Sequence, residues 1–131
     1  MASFAIAVYG SPYSSESSYH ALKFCQSALA KSHSIVRVFF YHEGIYSASI
    51  LNTPPQDEID LTLQWRNLAR DNNLDLGVCI ASALKRGVLN QEEARRYKKD
   101  IGNIAPEFTI SGLGQLLDAT VNADRLITFG G

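Results

Sequence analysis

The stretch FAIAVYGSP at residues 4–12 is the clearest indication of the fold. It begins with six consecutive apolar or aromatic residues and is closed by Gly10 and Pro12, which predicts a buried strand followed by a break. Apolar residues then recur at helical spacing and predict a helix over about residues 16–31. A second run, IVRVFFY at residues 35–41, is rich in β-branched and aromatic residues and predicts the next strand.

The same alternation continues along the chain. The patterns predict a helix from residue 56 or 57 to about 71, a strand at 74–80, a short helix at 81–86, a helix from the cap Asn90 to about 99, a short strand at 108–110, a helix capped by Ser111 and a last strand at 125–129. Apolar strands that alternate with helices favour a mainly parallel sheet covered on both faces. We therefore expect a single domain over residues 1–131, a three-layer flavodoxin-like α/β fold with about five strands.

The second predicted helix is apolar on more than one side. Leu61, Trp65 and Leu68 form its core stripe, whereas Ile59 and Leu63 lie off that stripe. Beside the end of the second strand, the segment 45–46 adds an isoleucine and a tyrosine. We expect these additional apolar residues to form a contact surface for partner subunits.

The charge balance argues against direct contact with nucleic acid. The chain has 12 basic and 13 acidic residues and a net charge of −1, whereas proteins that bind phosphate backbones usually carry a basic excess. No apolar stretch approaches the roughly 18 residues of a membrane span. The first ten residues lack the basic region of a signal peptide, so we expect a cytoplasmic protein with two free thiols.

Motifs for cofactors and metals are missing from the sequence. No phosphate loop follows the first strand, no GxxxxGK[ST] occurs, and the glycines at 112 and 114 lack the third glycine of a dinucleotide motif. Cys25 and Cys79 have neither zinc spacing nor a CxxC arrangement. We expect neither an organic cofactor nor a metal.

Cys79 is the strongest candidate for a nucleophile. It lies at the predicted end of the third strand, directly before a short helix, where unpaired N–H groups and the helix dipole favour a thiolate. Lys85 and Arg86 follow and add positive potential. The same position is also typical of a small buried apolar residue.

The other candidates are weaker. Cys25 lies on the predicted core stripe of the first helix, which indicates a structural role. His42 follows a strand end and is a possible base for Cys79, although a polar loop histidine fits the pattern as well. Its neighbour Glu43 is either a carboxylate near the site or a solvated loop residue.

Half of the basic residues lie between positions 85 and 99. They are Lys85, Arg86, Arg95, Arg96, Lys98 and Lys99. Such a charged segment is usually only solvated, but its place after the candidate nucleophile would also suit the steering of an acidic partner.

Several segments resemble the DsrE/TusD family of proteins. VFFYHEGIY at 38–46 is similar to the family's VFFY-x-[DE]-G-V segment, and VCIASALKRGV at 78–88 is similar to its VC-[IV]-A-A-A-x-[RK]-R-G-[IV] signature. Further matches are PQDE at 55–58 with Trp65, SGLGQL at 111–116 and ADRL at 123–126. The chain departs from the family at Ser82, where alanine is usual, and at Lys85, where arginine is common.

The resemblance implies a sulfurtransferase subunit in a sulfur relay. In TusD the signature cysteine, Cys79 here, takes a sulfane sulfur from the persulfide of TusA and passes it to TusE, which delivers it to MnmA for 2-thiouridine synthesis at the wobble position of tRNA. TusD acts in a heterohexamer with TusB and TusC. The supporting residues that we expect around Cys79 are Ala81, Ser82, Lys85, Arg86, His42 and Glu43.

Two alternatives remain within this resemblance. DsrE, a subunit of DsrEFH in dissimilatory sulfur oxidation, uses the same chemistry with other partners. A non-catalytic assembly subunit would keep the fold and lack the cysteine, and the presence of Cys79 in its full signature argues against that alternative. A flavin or small-ligand module is a third class, disfavoured by the missing phosphate loop.

Overall fold

Strands and helices alternate through residues 1–130, the part of the chain that the computed structural model describes. The elements are β1 (Ser3–Val8), α1 (Ser17–Ala30), β2 (Ser34–Phe40), a 3₁₀ helix (His42–Ala48), α2 (Leu61–Asn72), β3 (Leu76–Cys79), α3 (Ile80–Lys85), α4 (Gln91–Arg96), β4 (Phe108–Ser111), α5 (Gly114–Asn122) and β5 (Arg125–Phe129).

The five strands form one parallel sheet in the order β4-β3-β2-β1-β5. The expected α/β class and the number of strands are confirmed. The order differs from that of flavodoxin itself, in which β1 lies between β2 and β3. The chain runs outward from β1 to β4 and then returns past β1 to β5. Since crossovers in parallel sheets are right-handed, this reversal places α5 on the face opposite α1 and α2.

The main core lies between the sheet and the helices α1 and α2. Trp65 of α2 is fully buried and packs edge-on against Phe40 of β2, with 5.2 Å between ring centroids. Leu61 and Leu68 are buried beside it, so the predicted core stripe of this helix is confirmed. Cys25 of α1 is fully buried in the same cluster, as predicted.

The opposite face of the sheet is covered mainly by α5. The alternate residues Ala5 and Ala7 of β1 are buried there, and their small side chains allow α5 to approach the strand closely. Ala119 is the buried residue of α5, whereas most other residues of this helix are exposed. The layer on this side is therefore thin and narrow.

Helix α2 begins later than the sequence predicted. It starts at Leu61 rather than at residue 56 or 57, because the Asp60 carboxylate accepts a hydrogen bond from the Leu63 N–H at 3.1 Å and caps the helix there. Ile59 thus precedes the helix and is half-buried, while Leu63 is 42% exposed. Ile45 was predicted to add to the surface, but it is fully buried in the core because the 3₁₀ helix turns it inward.

Two other boundaries also differ. Ser111 was predicted to cap a helix, but it is the last residue of β4, and α5 begins at Gly114 without a side-chain cap. Helix α4 begins after Asn90, whose side chain accepts from the Glu93 N–H as expected, but it ends at Arg96 rather than near 99. Among the described residues, no helix combines the length and apolarity that crossing a membrane requires.

Candidate active site

Cys79 lies where β3 meets α3. The four residues of β3 are buried, and α3 begins at the next residue, so no loop separates the strand from the helix. Cys79 occupies the N-cap position with extended backbone angles, φ −62° and ψ 120°, and is 4% exposed. The first N–H groups of a helix lack partners within the helix and carry its positive dipole end. Cys79 therefore adjoins unpaired backbone N–H groups.

Three other side chains share the row of Cys79 across the sheet. The register of β2 on β3 brings Tyr41, which directly follows β2 in extended conformation, alongside Cys79. The register of β1 on β2 brings Tyr9 alongside Tyr41 in the same way. On the other side, Ser111 of β4 pairs with Cys79. Neighbours in register point to the same face, so the thiol is flanked by a phenol and a hydroxyl.

The two tyrosines form a tight pair beside the thiol. Their ring centroids are 4.2 Å apart in an edge-on arrangement. Burial, a hydrogen bond with Tyr9 and the proximity of Tyr9 and Cys79 together raise the pKa of Tyr41 to about 12, with burial the largest cause. Tyr41 is therefore protonated throughout the physiological range, and it adds no negative charge next to Cys79.

Four of the predicted supporting residues join the 3₁₀ helix to α3. The backbone N–H of His42 donates to Ser82 Oγ at 3.0 Å. Arg86 Nε donates to Glu43 Oε1 at 3.0 Å, and a second guanidinium nitrogen donates to the Ser82 carbonyl oxygen at 3.2 Å. The loop after β2 and the helix after β3 are thus held together directly beyond Cys79, and Glu43 is an ion-pair partner rather than a free loop carboxylate.

The remaining supporting residues face outward. Ala81 is exposed in the first turn of α3, and Lys85 is exposed in its last turn. The imidazole of His42 lies beside the two tyrosine rings, 5.0 Å from Tyr41 and 5.8 Å from Tyr9 between centroids. The structure therefore gathers five of the six near one edge of the sheet, with Lys85 at the far end of α3.

The second thiol has a different environment. Cys25 is fully buried on α1 among apolar side chains, and burial raises its pKa to about 12. A thiol with this pKa is protonated at neutral pH and is a poor nucleophile.

The arrangement at Cys79 is suited to thiol chemistry. Within residues 1–130, no group of three or more His, Cys, Asp or Glu side chains is placed to hold a metal ion. Among the functional groups in the row, a thiolate is the strongest nucleophile near neutral pH. Its neighbours are neutral hydrogen-bonding groups, which would not repel an incoming anionic sulfur.

Sequence reasoning missed Tyr9, Tyr41 and Ser111 as neighbours of the thiol. Tyr9 and Tyr41 directly follow strand ends. Ser111 extends the strand predicted at 108–110 by one residue. Counting positions relative to strand ends would have aligned them with Cys79. That count needs the strand order, which the sequence pattern does not provide.

Comparison with known proteins agrees with the fold and adds the family. The DsrE/DsrF-like family matches residues 2–129. The chain is 51% identical to a sulfurtransferase TusD homologue of Pseudomonas aeruginosa, over 98% of this chain and 97% of that protein. It is 46% identical to DsrE of Allochromatium vinosum over 97% and 98% of the two chains, and 39% identical to the sulfurtransferase TusD of Salmonella typhi over 96% and 98%.

A solved structure shares the architecture. The crystal structure of the YchN protein from E. coli superimposes with a TM-score of 0.76 and covers 98% of this chain and 100% of YchN, at 19% sequence identity. This likeness concerns the fold. The family match over residues 2–129 shows that the chain belongs to the DsrE/DsrF-like family.

Proposed function

We propose that this protein is a sulfurtransferase subunit that carries sulfur on Cys79, taking it from TusA and passing it to TusE for 2-thiouridine synthesis at the tRNA wobble position. The observation that carries the proposal is the placement of Cys79 at the N-cap of α3, in a chain 51% identical to a TusD homologue. Sulfur exchange needs a thiolate nucleophile, and the N-cap position places Cys79 beside the unpaired N–H groups of the helix.

The proposed reaction consists of two sulfur exchanges. In the first, the Cys79 thiolate attacks the outer, sulfane sulfur of the donor persulfide. A new bond forms from Sγ, the donor's S–S bond breaks, and the donor cysteine leaves as a thiolate. In the second, an acceptor thiolate attacks the outer sulfur of the persulfide on Cys79. The S–S bond breaks, the outer sulfur moves to the acceptor, and Cys79 leaves as a thiolate. Neither exchange needs an external oxidant or reductant.

Burial of the thiol suits this chemistry. Cys79 is 4% exposed, so access is restricted to a slender group such as the sulfur end of a persulfide. The Tyr41 and Ser111 side chains on either side of Cys79 can donate hydrogen bonds to an anionic persulfide held between them.

We also propose a setting for the reaction. The protein acts as one domain in the cytoplasm, assembled with TusB and TusC homologues, and the tRNA is bound by a later component of the relay. The net charge of −1 supports the absence of direct tRNA contact. An exposed apolar side of α5, formed by Leu113, Leu117 and Val121, supports the assembly.

A second candidate is the DsrE role in sulfur oxidation. It is favoured by 46% identity to DsrE of Allochromatium vinosum over almost the full length of both chains. The chemistry at Cys79 would be the same, and only the donor and acceptor would differ.

The relay proposal is tested with purified proteins. TusA carrying a persulfide is mixed with this protein, co-purified with its partner subunits, and then with TusE, and each protein is weighed by intact mass spectrometry. We expect the extra sulfur to appear on TusE only when Cys79 is present, with Cys25→Ser as the matched control that still transfers. Uptake from TusA by a Cys79→Ser variant would contradict the proposal, and uptake without delivery to TusE would favour the DsrE role.

A further inference from the structure

An open cavity of about 620 Å³ lies beyond the end of α3. It is lined by Leu84 and Lys85 of α3, by Gly87 and Leu89 of the following turn, and by Tyr97 and Lys99 after α4. We call it the α3–α4 groove. Its lining combines two leucines and a tyrosine with two lysines.

The groove is close to the proposed nucleophile. Leu84 follows Cys79 by five residues along α3, a rise of about 7.5 Å at 1.5 Å per residue. A partner protein that places one segment in the groove could therefore bring its own cysteine to Cys79.

The groove lies in the most basic part of the chain. Positions 85–99 hold six basic residues and two acidic ones, in a protein whose net charge is −1. The two acidic residues, Glu92 and Glu93, both pair with Arg96 at 3.5 Å. Among residues 1–130, no carboxylate lies within ion-pair distance of Lys85 or Lys99, and both side chains are exposed. Their charges are available to a partner.

The apolar lining identifies the class of partner. Tyr97 is 52% exposed, and burial of its aromatic ring against an apolar side chain would be favourable. Backbone phosphates would use the lysines but not the leucines, whereas a protein segment with an apolar side chain between carboxylates would use both.

We propose that the α3–α4 groove binds an acidic segment of the protein that exchanges sulfur with Cys79, with an apolar side chain of that segment seated on Leu84, Leu89 and Tyr97. This inference rests on the proposed function, because it assigns a recognition surface to the sulfur-exchanging partner.

Direct binding tests the groove without sulfur transfer. Three fluorescein-labelled peptides of equal length share a central leucine, which is flanked by glutamates, glutamines or lysines, and binding to the intact protein is followed by fluorescence anisotropy. We expect the glutamate peptide to bind about five-fold more tightly than the glutamine peptide at low salt, and the difference to shrink as salt screens the charges. The lysine peptide should bind most weakly.

Substitutions in the groove test whether its residues cause the preference for the glutamate peptide. The double variant Lys85→Gln/Lys99→Gln should abolish the preference for the glutamate peptide, and Tyr97→Ala should weaken both the glutamate and glutamine peptides. The matched control is Lys23→Gln/Lys31→Gln, which removes the same charge from exposed lysines on α1 and directly after it, and it should keep the preference.

Sulfur transfer is the second readout. Cys79 is first loaded from inorganic polysulfide, and its sulfur is then offered to cysteine-containing versions of the glutamate and glutamine peptides. We expect the ratio of the two transfer rates to follow the ratio of affinities in each variant. If Cys79 takes up no sulfur from polysulfide, the proposed function is wrong. The anisotropy measurement would still show whether the α3–α4 groove binds the acidic peptide. Equal affinity for all three peptides, a preference that survives in Lys85→Gln/Lys99→Gln, or tighter binding of a labelled single-stranded RNA would overturn the inference.

Discussion

The two cysteines of this chain show how position determines the reactivity of one residue type. Cys79 ends a strand and caps a helix, whereas Cys25 lies in mid-helix among apolar side chains. Burial raises the pKa of Cys25 to about 12 and thereby favours its protonated form. The proposed sulfur carrier is the thiol that adjoins unpaired backbone N–H groups.

The raised pKa of Cys25 predicts a loss of stability in alkali. The folded state holds the proton of Cys25 more tightly than the unfolded state does. The stability that this proton contributes is fully present below the unfolded pKa of 9.0 and is lost as the pH rises toward about 12. Across that window the free energy of unfolding should fall by about 1 kcal/mol per pH unit through this group. Urea denaturation of wild type and Cys25→Ala over this range measures it.

The comparison must separate Cys25 from Tyr41, whose pKa is also raised to about 12 from 10.0. Tyr41 affects wild type and Cys25→Ala equally. The difference between the two proteins in the slope of unfolding free energy against pH therefore measures the contribution of Cys25. If the free energies of unfolding of wild type and Cys25→Ala depend on pH in the same way, burial does not raise the pKa of the Cys25 thiol.

The Ser82 hydroxyl holds the backbone of the loop that carries His42. It accepts the His42 N–H at 3.0 Å, and Ser82 is largely buried at 8% exposure. Ser82→Ala leaves that N–H without its partner and should lower the free energy of unfolding by about 1 kcal/mol. Denaturant titration measures the loss, and Ser32→Ala at an exposed position serves as the control. An unchanged midpoint would mean that water replaces the serine fully.

At the scale of elements, the contact between the 3₁₀ helix and β1 depends on a glycine. A Cβ at Gly44 would collide with the carbonyl oxygen of Val8, which is backbone and cannot turn aside. Gly44→Ala should therefore cost at least about 2 kcal/mol of stability and displace the loop that carries His42 and Glu43.

Gly112→Ala is the matched control for Gly44→Ala. A Cβ at Gly112 meets nothing within 4 Å, so its effect should stay within about 0.5 kcal/mol. Thermal unfolding of both variants gives the comparison. Equal melting temperatures would contradict the close approach of the 3₁₀ helix to β1.

The accuracy of the sequence predictions also varied by element. The runs 4–9, 35–41 and 125–129 predicted their strands because long apolar or β-branched runs have few other uses. The start of α2 was wrong because several acidic residues competed as caps, and only the Asp60 carboxylate bonds to a helix N–H. Ser111 was misplaced because a serine after a short strand fits both a cap and a strand end. The neighbours of Cys79 depend on strand order, a tertiary property that local patterns do not encode.

On the scale of the whole molecule, the unusual surface is one side of α5. Leu113, Leu117 and Val121 are spaced four residues apart and are 54%, 68% and 83% exposed. A helix that covers one face of a sheet alone and exposes such a stripe is typical of a subunit interface. We expect the partner subunits to contact this stripe, rather than the side of α2 that the sequence favoured.

Substitution of the stripe tests the assembly. Leu117→Gln/Val121→Gln should fold normally, since both side chains are exposed, and should lose at least tenfold in affinity for co-expressed TusB and TusC homologues, about 1.4 kcal/mol. Leu63→Gln, an exposed leucine on α2, is the control and should assemble. Size-exclusion chromatography with light scattering measures the complexes. If Leu63→Gln disrupts assembly and the α5 variant does not, the interface lies on α2.

The role of Cys79 as sulfur carrier is tested by peptide-level mass spectrometry after incubation of the protein with inorganic polysulfide. We expect a gain of about 32 Da, one sulfur atom, on the peptide that contains Cys79, and we expect a thiol reductant to remove it. The peptide that contains Cys25 should remain unchanged. Sulfur found on Cys25, or an equal gain by a folded Cys79→Ser variant, would show that Cys79 is not the carrier.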